Sequence, residues 1–292
     1  MLTVSLGLQQ SLLIQAQRRL LDQMGERIGT PVVYLKAAWA DPVLYAGRGE
    51  RVGGDIDILV RPERFRAYAH SLAAAGFKRF HDRWHVASQH FVGKAWLYQP
   101  PSAYALAVDL HRELVDGPWF KFAAEGLVDR AVAYASVDGK ILSLAPEDQV
   151  VYAAAHYANH RYSLGPQHLN DMVALLSQVK VNWNLIRDRA DESFLSVPLL
   201  VLIAALRQRG VAVPVHAEAA AWLHRWSAIL CKWLLDSDHL QRQSPMVASD
   251  LLWLMPLLSN RKSALPRYLI RLALVRPLDC AAELVYRLAG KS

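Results

Sequence analysis

The chain changes character near Asp138-Gly139, and this change constrains its fold more than any other feature. Before it, short β-branched and aromatic runs alternate with amphipathic segments; after it, Leu, Ala and Trp recur at helical spacing between Pro and Gly residues. The first pattern predicts a mixed sheet with helices packed against it over residues 1–140. The second predicts an all-helical domain over residues 141–292. The predicted fold class is therefore α+β.

The expected elements follow from local patterns. We predict strands where apolar runs are bounded by turn residues, at 32–35, 55–60, 90–98 and 104–111, the last two joined as a hairpin by residues 99–102. We predict helices in the first half at 5–25, 37–45 and 62–75. In the second half the predicted helices are 147–160, 167–180, 182–191, 195–209, 216–235, 246–258, 266–276 and 279–289.

Composition and charge exclude several classes of protein. An apolar content of 53% excludes a disordered chain, and two cysteines are too few for a disulfide framework, which favours a reducing compartment. The net charge of +7 suggests an anionic partner, but residues 260–292 alone carry seven basic against two acidic side chains. A basic C-terminal helix, with Arg267 and Arg271 on one face, could dock on a membrane surface or an acidic partner. An ordinary solvated helix is the alternative.

We expect a cytoplasmic protein with no transmembrane segment. The first residues lack the basic region and small-residue cleavage site of a signal peptide. The longest charge-free apolar stretch, from Ser193 to Leu206, has 14 residues, whereas a helix needs about 20 to span a bilayer.

Two carboxylates stand at the start of the predicted strand 55–60, directly after the glycine-rich loop 46–54. Asp55 and Asp57 are two residues apart, so both point to the same face of the sheet. Either one alone could be a turn residue. Two like charges on one face repel each other, and the arrangement costs stability unless a cation lies between them.

A third carboxylate, Asp109, lies inside another apolar strand, where Asp is disfavoured. A buried polar group with satisfied hydrogen bonds is one interpretation. Three carboxylates on adjacent strands are also what a two-metal phosphoryl-transfer site requires. His111 shares a face with Asp109 and could contact a phosphate or support a metal ligand. An edge-strand or capping histidine is the alternative.

These motifs resemble the uncharacterised nucleotidyltransferase family of the polymerase-β-like superfamily. The resemblance covers roughly residues 30–185, and the combination of its second and fourth segments is its most specific part. The segments that carry it are Tyr34-Leu-Lys-Ala37, Arg51-Val-Gly-Gly-Asp-Ile-Asp-Ile-Leu-Val60, Gly76-Phe77, Val108-Asp-Leu-His111 and Leu144-Ala-Pro-Glu-Asp148, followed by His156, His160 and Asp171.

The resemblance implies a metal site and a nucleotide site. Its metal triad would be Asp55, Asp57 and Asp109, holding two Mg²⁺ ions or Mn²⁺ in their place. The bound nucleotide would be an NTP, with ATP expected. Lys36, Arg48 and Arg51 would neutralise its phosphates. The chain departs from the family pattern at Lys36-Ala37-Ala38, where the family has a glycine that lets backbone approach phosphates closely.

Histidines supply further candidates. His156 and His160 are four residues apart on a predicted helix and share a face, but position 157 is Tyr, so the pair lacks the glutamate of a metalloprotease motif. A buried hydrogen-bonded pair is the simplest interpretation. The resemblance implies instead that this helix closes over the nucleotide, together with Asp171. A further group, His81, His85 and His90, could contact the acceptor or be ordinary surface residues.

The predicted activity is transfer of an NMP group from an NTP to an acceptor, with release of pyrophosphate. Two alternatives stay open: a non-catalytic nucleotide-sensing or partner-binding module on the same fold, and a tRNA-modifying toxin of a toxin–antitoxin pair. The near-neutral body argues against the toxin, because tRNA binding usually needs a broad basic face. The acceptor, whether a small molecule, a peptide or protein, or RNA, is not readable from the sequence, because fold does not fix specificity.

Overall fold

The computed structural model describes residues 6–51, 53–80, 94–102, 104–115, 119–160 and 166–214, together with Ser259, Arg261 and Pro266. The described residues fall into two compact units. The sheet unit contains residues up to 114 and residues 123–144, and the helical unit contains residues 119–122 and 145–214.

The sheet unit is built on a seven-stranded mixed sheet. Its strands are β1 (Val33–Tyr34), β2 (Asp55–Leu59), β3 (Lys78–Arg79), β4 (Ala95–Gln99), β5 (Ala107–His111), β6 (Val132–Ser136) and β7 (Gly139–Ser143). Their spatial order is β3-β4-β5-β2-β1-β7-β6. The central pair, β2 and β5, is parallel, and its register places Asp57 beside Asp109. The large apolar residues of this pair are fully buried, because strands in the middle of a sheet are covered by their neighbours: Ile56, Ile58, Leu59, Val108 and Leu110.

Four helices accompany this sheet: α1 (Leu6–Ile28), α2 (Lys36–Leu44), α3 (Phe65–Ala74) and α4 (Ala124–Asp129). Helix α1 holds the start of β5 through Gln17, whose side-chain amide exchanges two 2.8 Å hydrogen bonds with the backbone of Leu106. It also accepts a 2.7 Å hydrogen bond from the Tyr68 hydroxyl of α3 at the carbonyl of Leu21. These contacts fix the central strand that carries Asp109.

The structure differs from the sequence prediction in three details. Residues 62–75 divide into a 3₁₀ turn, Pro62–Arg64, and α3, which is followed by Gly76 at φ 88°, a conformation that favours glycine. Helix α2 begins at Lys36, one residue before the predicted start at 37, and β1 contains only Val33–Tyr34 of the predicted strand 32–35. The sheet also extends beyond the predicted strands, because Asp138-Gly139 forms the turn of the β6–β7 hairpin, with Gly139 at φ 126°. The mixed sheet itself is confirmed.

The helical unit contains α5 (Pro146–Asn159), α6 (Pro166–Gln178), α7 (Trp183–Glu192) and α8 (Ser196–Gln208). All four lie within two residues of the predicted bounds. Residues 148–158 of α5 are buried throughout, which makes it the centre of the unit. The buried carboxylate of Asp148 pairs with Arg189 of α7 at 3.0 Å. The N-terminus of α7 is capped by Asn182, whose side chain accepts hydrogen bonds from the backbone N–H groups of Asn184 and Leu185.

The helices predicted beyond residue 214, the basic C-terminal helix with Arg267 and Arg271, and both cysteines lie outside the described residues. Within the described part of the chain, no helix has the combined length and hydropathy that crossing a bilayer requires.

Candidate metal and nucleotide site

Four side chains converge on one face of the sheet. Nε2 of His111 lies 3.1 Å from Oδ1 of Asp57 and 3.0 Å from Oδ2 of Asp109, so this histidine bridges the two carboxylates. Nζ of Lys36 donates a 2.6 Å hydrogen bond to Oδ1 of Asp57. Asp109 and His111 are two residues apart on β5, so their side chains share a face of the sheet. The register of the parallel strands places Asp57 of β2 beside Asp109.

The donor atoms of Asp57, Asp109 and His111 all lie within 4.8 Å of one another. Among the described residues this is the group of His, Cys, Asp and Glu side chains close enough to share a cation. Carboxylate oxygens suit Mg²⁺ and Mn²⁺, and imidazole nitrogen suits transition metals. Asp55 stands two residues earlier on β2 and is partly buried, whereas the Asp57 side chain is only 2% exposed.

The charges of this site shift its titration. Burial would raise the pKa of Asp57, but the Lys36 ammonium and the His111 imidazolium hold it well below its usual range. Burial would lower the pKa of His111, but Asp109 and Asp57 raise it to about 9. Burial and the neighbouring Asp57 raise the pKa of Asp55 to about 6. Asp55 is therefore the carboxylate in greatest need of a further cation.

The glycine-rich loop before β2 is anchored by Asp41, a buried residue of α2. Its carboxylate accepts a 2.7 Å hydrogen bond from the Ser11 hydroxyl and a 3.2 Å bond from the backbone N–H of Arg51. Gly49 packs against Gly7 of α1 so closely that a Cβ on Gly49 would lie 2.2 Å from the Gly7 backbone. These contacts hold the described residues of the loop against α1 and α2, so the loop packs on the sheet unit.

The two arginines of the loop differ in their surroundings. Arg48 is exposed and pairs with Glu50 at 2.7 Å. Arg51 is 6% exposed. Their role at the phosphates stays a prediction.

Ala37 occupies the place where the family pattern has glycine, and its methyl group faces the glycine-rich loop. A Cβ added to Gly53 would lie 2.6 Å from the Cβ of Ala37. Gly54 has open space at the same position. The departure at Ala37 is therefore matched by a glycine on the opposing backbone, and the two residues pack together.

His156, His160 and Asp171 belong to the helical unit. The imidazole rings of His156 and His160 lie 4.5 Å apart edge to face, and His168 of α6 lies 4.8 Å from His156. Asp171 is buried in α6. Their part in nucleotide binding stays a prediction, and His81, His85 and His90 lie outside the described residues.

Sequence reasoning missed Asp41 and His168. Asp41 precedes Pro42 inside a predicted helix, and no local sequence pattern indicates that its carboxylate is buried and holds a loop. His168 is eight residues from His160 across a helix boundary, a spacing that local periodicity does not connect.

Comparison with known proteins decides the family. A family model described as "Uncharacterised nucleotidyltransferase" matches residues 4–209 of the chain. The chain belongs to this family. It is accordingly an enzyme of the nucleotidyltransferase class, and the acidic strand pair β2–β5 lies inside the matched residues. The search of curated proteins found no match to the sequence of this nucleotidyltransferase.

Solved structures of other nucleotidyltransferases are similar at low identity. The lincomycin-bound lincosamide antibiotic adenylyltransferase LnuA is 19% identical with a TM-score of 0.39, covering 56% of this chain and 97% of that one. The antibiotic-resistance factor ANT(2'')-Ia is 13% identical with a TM-score of 0.40, covering 69% and 94%. An antigenic nucleotidyltransferase-like protein from Paracoccidioides brasiliensis is 11% identical with a TM-score of 0.41, covering 68% and 88%.

Proposed function

We propose that this nucleotidyltransferase transfers a nucleoside monophosphate from an NTP, with ATP as the expected donor, to an acceptor and releases pyrophosphate. The observation that supports this proposal is the cluster on the central strands. Asp57 and Asp109 stand side by side on the parallel pair β2–β5, with Asp55 on the same face and a lysine ammonium at contact distance.

The residues present fit a divalent cation. Their donors are carboxylate oxygens from adjacent strands, already within 4.8 Å of one another with His111. We propose that Asp55, Asp57 and Asp109 hold two Mg²⁺ ions, and that Mn²⁺ can replace them. Bound ions of this kind neutralise the triphosphate and make an acceptor hydroxyl more acidic.

The chain's own residues would divide the remaining work. The carboxylate of Asp57 would keep a fixed position, because its side chain is buried and contacts both Lys36 and His111. Asp109 is more accessible, with a side chain 23% exposed, and we propose that it would help deprotonate the acceptor hydroxyl through the metal ion it would hold. The acceptor oxygen then bonds to the α-phosphorus, the bond to the bridging oxygen breaks, and pyrophosphate leaves with that electron pair.

Positive side chains would bind the phosphates. Lys36 lies at the start of α2, where backbone N–H groups also favour anions, and Arg48 and Arg51 flank the loop that leads into β2. We propose that His156, His160 and Asp171 supply the nucleotide contacts of the helical unit.

A non-catalytic nucleotide-binding module is the second candidate. The observation that favours it is the packing of Ala37 against Gly53, which fills space that glycine would leave beside the loop.

Pyrophosphate release distinguishes the two candidates. The purified chain is incubated with each NTP, Mg²⁺ and acceptor panels of sugars, small alcohols, peptides and RNA. The proposal expects release with one panel and its loss in Asp57→Asn. Asp188→Asn is the matched control, because it makes the same chemical change at an exposed side chain of α7 that contacts only its neighbour Arg187 in the part of the chain that the structure describes. Nucleotide binding without release for any panel would favour the module.

A further inference from the structure

A cavity of about 260 Å³ lies on the face of the sheet opposite the carboxylate cluster. Trp96 of β4 is paired with Leu110, whereas Leu97 is paired with Asp109, so Trp96 and Asp109 point to opposite faces. The residues that line the cavity are Phe65, Arg66, Ala69, His70, Trp96 and Arg112. The cavity therefore does not belong to the proposed catalytic site.

The lining is basic. Arg66 and His70 lie four residues apart on α3 and share a face, and Arg112 follows the last residue of β5. The lining contains no carboxylate. Glu113, the next residue along the chain, accepts a backbone hydrogen bond from Ala124 and interacts electrostatically with Arg112, but it does not line the cavity. The charge of the lining is complementary to an anion.

The lining is also aromatic. The rings of Phe65 and Trp96 meet edge to face, with their centres 4.8 Å apart and their planes at 70°. The guanidinium of Arg79 lies 3.5 Å from the centre of the Trp96 ring, and that of Arg112 lies 5.6 Å from the Phe65 ring. Stacked cations and rings of this kind bind planar groups as well as charges.

Two features around Arg79 favour an added anion. Its Nε is buried and meets no hydrogen-bond partner in the part of the chain that the structure describes. Burial lowers the pKa of this guanidinium, Tyr98 partly opposes this, and the positive charge of Arg112 lowers the pKa further, so the two guanidinium groups repel each other. An anion between them would relieve the repulsion.

We propose that this cavity is a second binding site that takes a small aromatic anion, one ring bearing a phosphate or a carboxylate. The ring would pack against the partly exposed Trp96, which the buried Phe65 supports, and the anionic group would be bound by Arg66, His70 and Arg112. The volume supports a ligand of this size, because cavities for larger drug-sized ligands span about 300–1,000 Å³.

The test uses phenyl phosphate and benzoate as probes, with inorganic phosphate and phenol as the separate halves. Each is titrated into the metal-free full chain while the indole N–H signals are followed by NMR; the Trp96 signal is identified from Trp96→Phe. We expect saturable shifts of that signal with a Kd of about 1 mM or tighter for a ring bearing an anion, and at least about tenfold weaker binding of either half. Comparison of the Kd of phenyl phosphate with that of benzoate shows whether the site prefers a phosphate or a carboxylate.

The variants are Arg66→Gln and His70→Gln, both exposed on α3, and Arg64→Gln is the matched control because Arg64 does not line the cavity. We expect at least about fivefold weaker binding in the first two and unchanged binding in the control, with unchanged thermal unfolding in all three. The proposal is overturned by the absence of saturable binding, by binding that survives Arg66→Gln and His70→Gln together, or by binding that Asp57→Asn abolishes.

Discussion

The ammonium of Lys36 and the carboxylate of Asp57 form an ion pair at 2.6 Å in the interior of the sheet unit. The side chain of Asp57 is 2% exposed and that of Lys36 is 21% exposed. This pair, together with His111, supplies the positive charge that three carboxylates on one face require when no metal is bound.

Removal of the Lys36 charge should destabilise the metal-free protein. In Lys36→Met, Asp57 keeps its burial and loses its strongest partner, so the free energy of unfolding should fall by about 3 kcal/mol. Urea unfolding in the presence of a chelator measures this change. Lys36→Arg is the control that keeps the charge, and it should lose less than half as much.

The same variant tests whether the cluster takes a cation. Mg²⁺ should raise the stability of Lys36→Met more than that of the wild type, since a metal replaces the missing charge. An equal effect of Mg²⁺ on both proteins would show that a bound cation does not replace the charge of Lys36.

Gly53 and Gly54 offer a matched pair for testing the loop. In Gly53→Ala the new methyl group would meet the Cβ of Ala37 at 2.6 Å, so we expect a loss of about 1–3 kcal/mol. In Gly54→Ala the methyl group enters open space and should cost less than about 1 kcal/mol. Chemical unfolding measures both.

The double variant Ala37→Gly/Gly53→Ala identifies the cause. Because the clash is between two methyl groups, removal of one should restore most of the lost stability. Independent effects of the two substitutions would show that Gly53 is required for another reason.

Metal-free stability should fall as pH rises. The pKa of His111 is raised from 6.5 to about 9, so its contribution is complete below pH 6.5 and is lost as pH rises through 9. The pKa of Asp55 is raised from 3.8 to about 6, so ionisation of Asp55 removes stability as pH rises through 6.

Urea unfolding between pH 5 and 10 in a chelator measures this dependence. The part above pH 7, on the order of 3 kcal/mol, should be absent in His111→Gln. A slope that persists in His111→Gln would assign it to another group.

The sequence predicted the strands that carry the carboxylates because alternation of Asp with apolar residues is a local signal. It also predicted that Asp55 and Asp57 share a face, which follows from strand geometry, whereas the placement of Asp57 beside Asp109 follows from the register of β2 and β5. It did not predict that His111 Nε2 would contact both carboxylates, nor that Lys36 would pair with Asp57. These depend on strand register and on the position of α2, which are set by distant parts of the chain.

The β6–β7 hairpin was missed for a different reason. Asp138-Gly139 is a turn signal, and a turn can either end a sheet or join two of its strands. The helical pattern that follows favours the end of the sheet, whereas the structure has the turn of a hairpin. The pairing of Arg18 with Asp138 ties this turn to α1, and only the folded chain brings those residues together. The site residues of the helical unit remain predictions because their role depends on a bound nucleotide.

The most direct test of the account is isothermal titration of the full chain with α,β-methylene ATP, with and without Mg²⁺. The account predicts binding that requires Mg²⁺ and becomes at least about tenfold weaker in Asp57→Asn. The exposed control variant Asp188→Asn should bind as the wild type does. Absence of Mg²⁺-dependent binding by the wild type, or equal binding by Asp57→Asn, would contradict it.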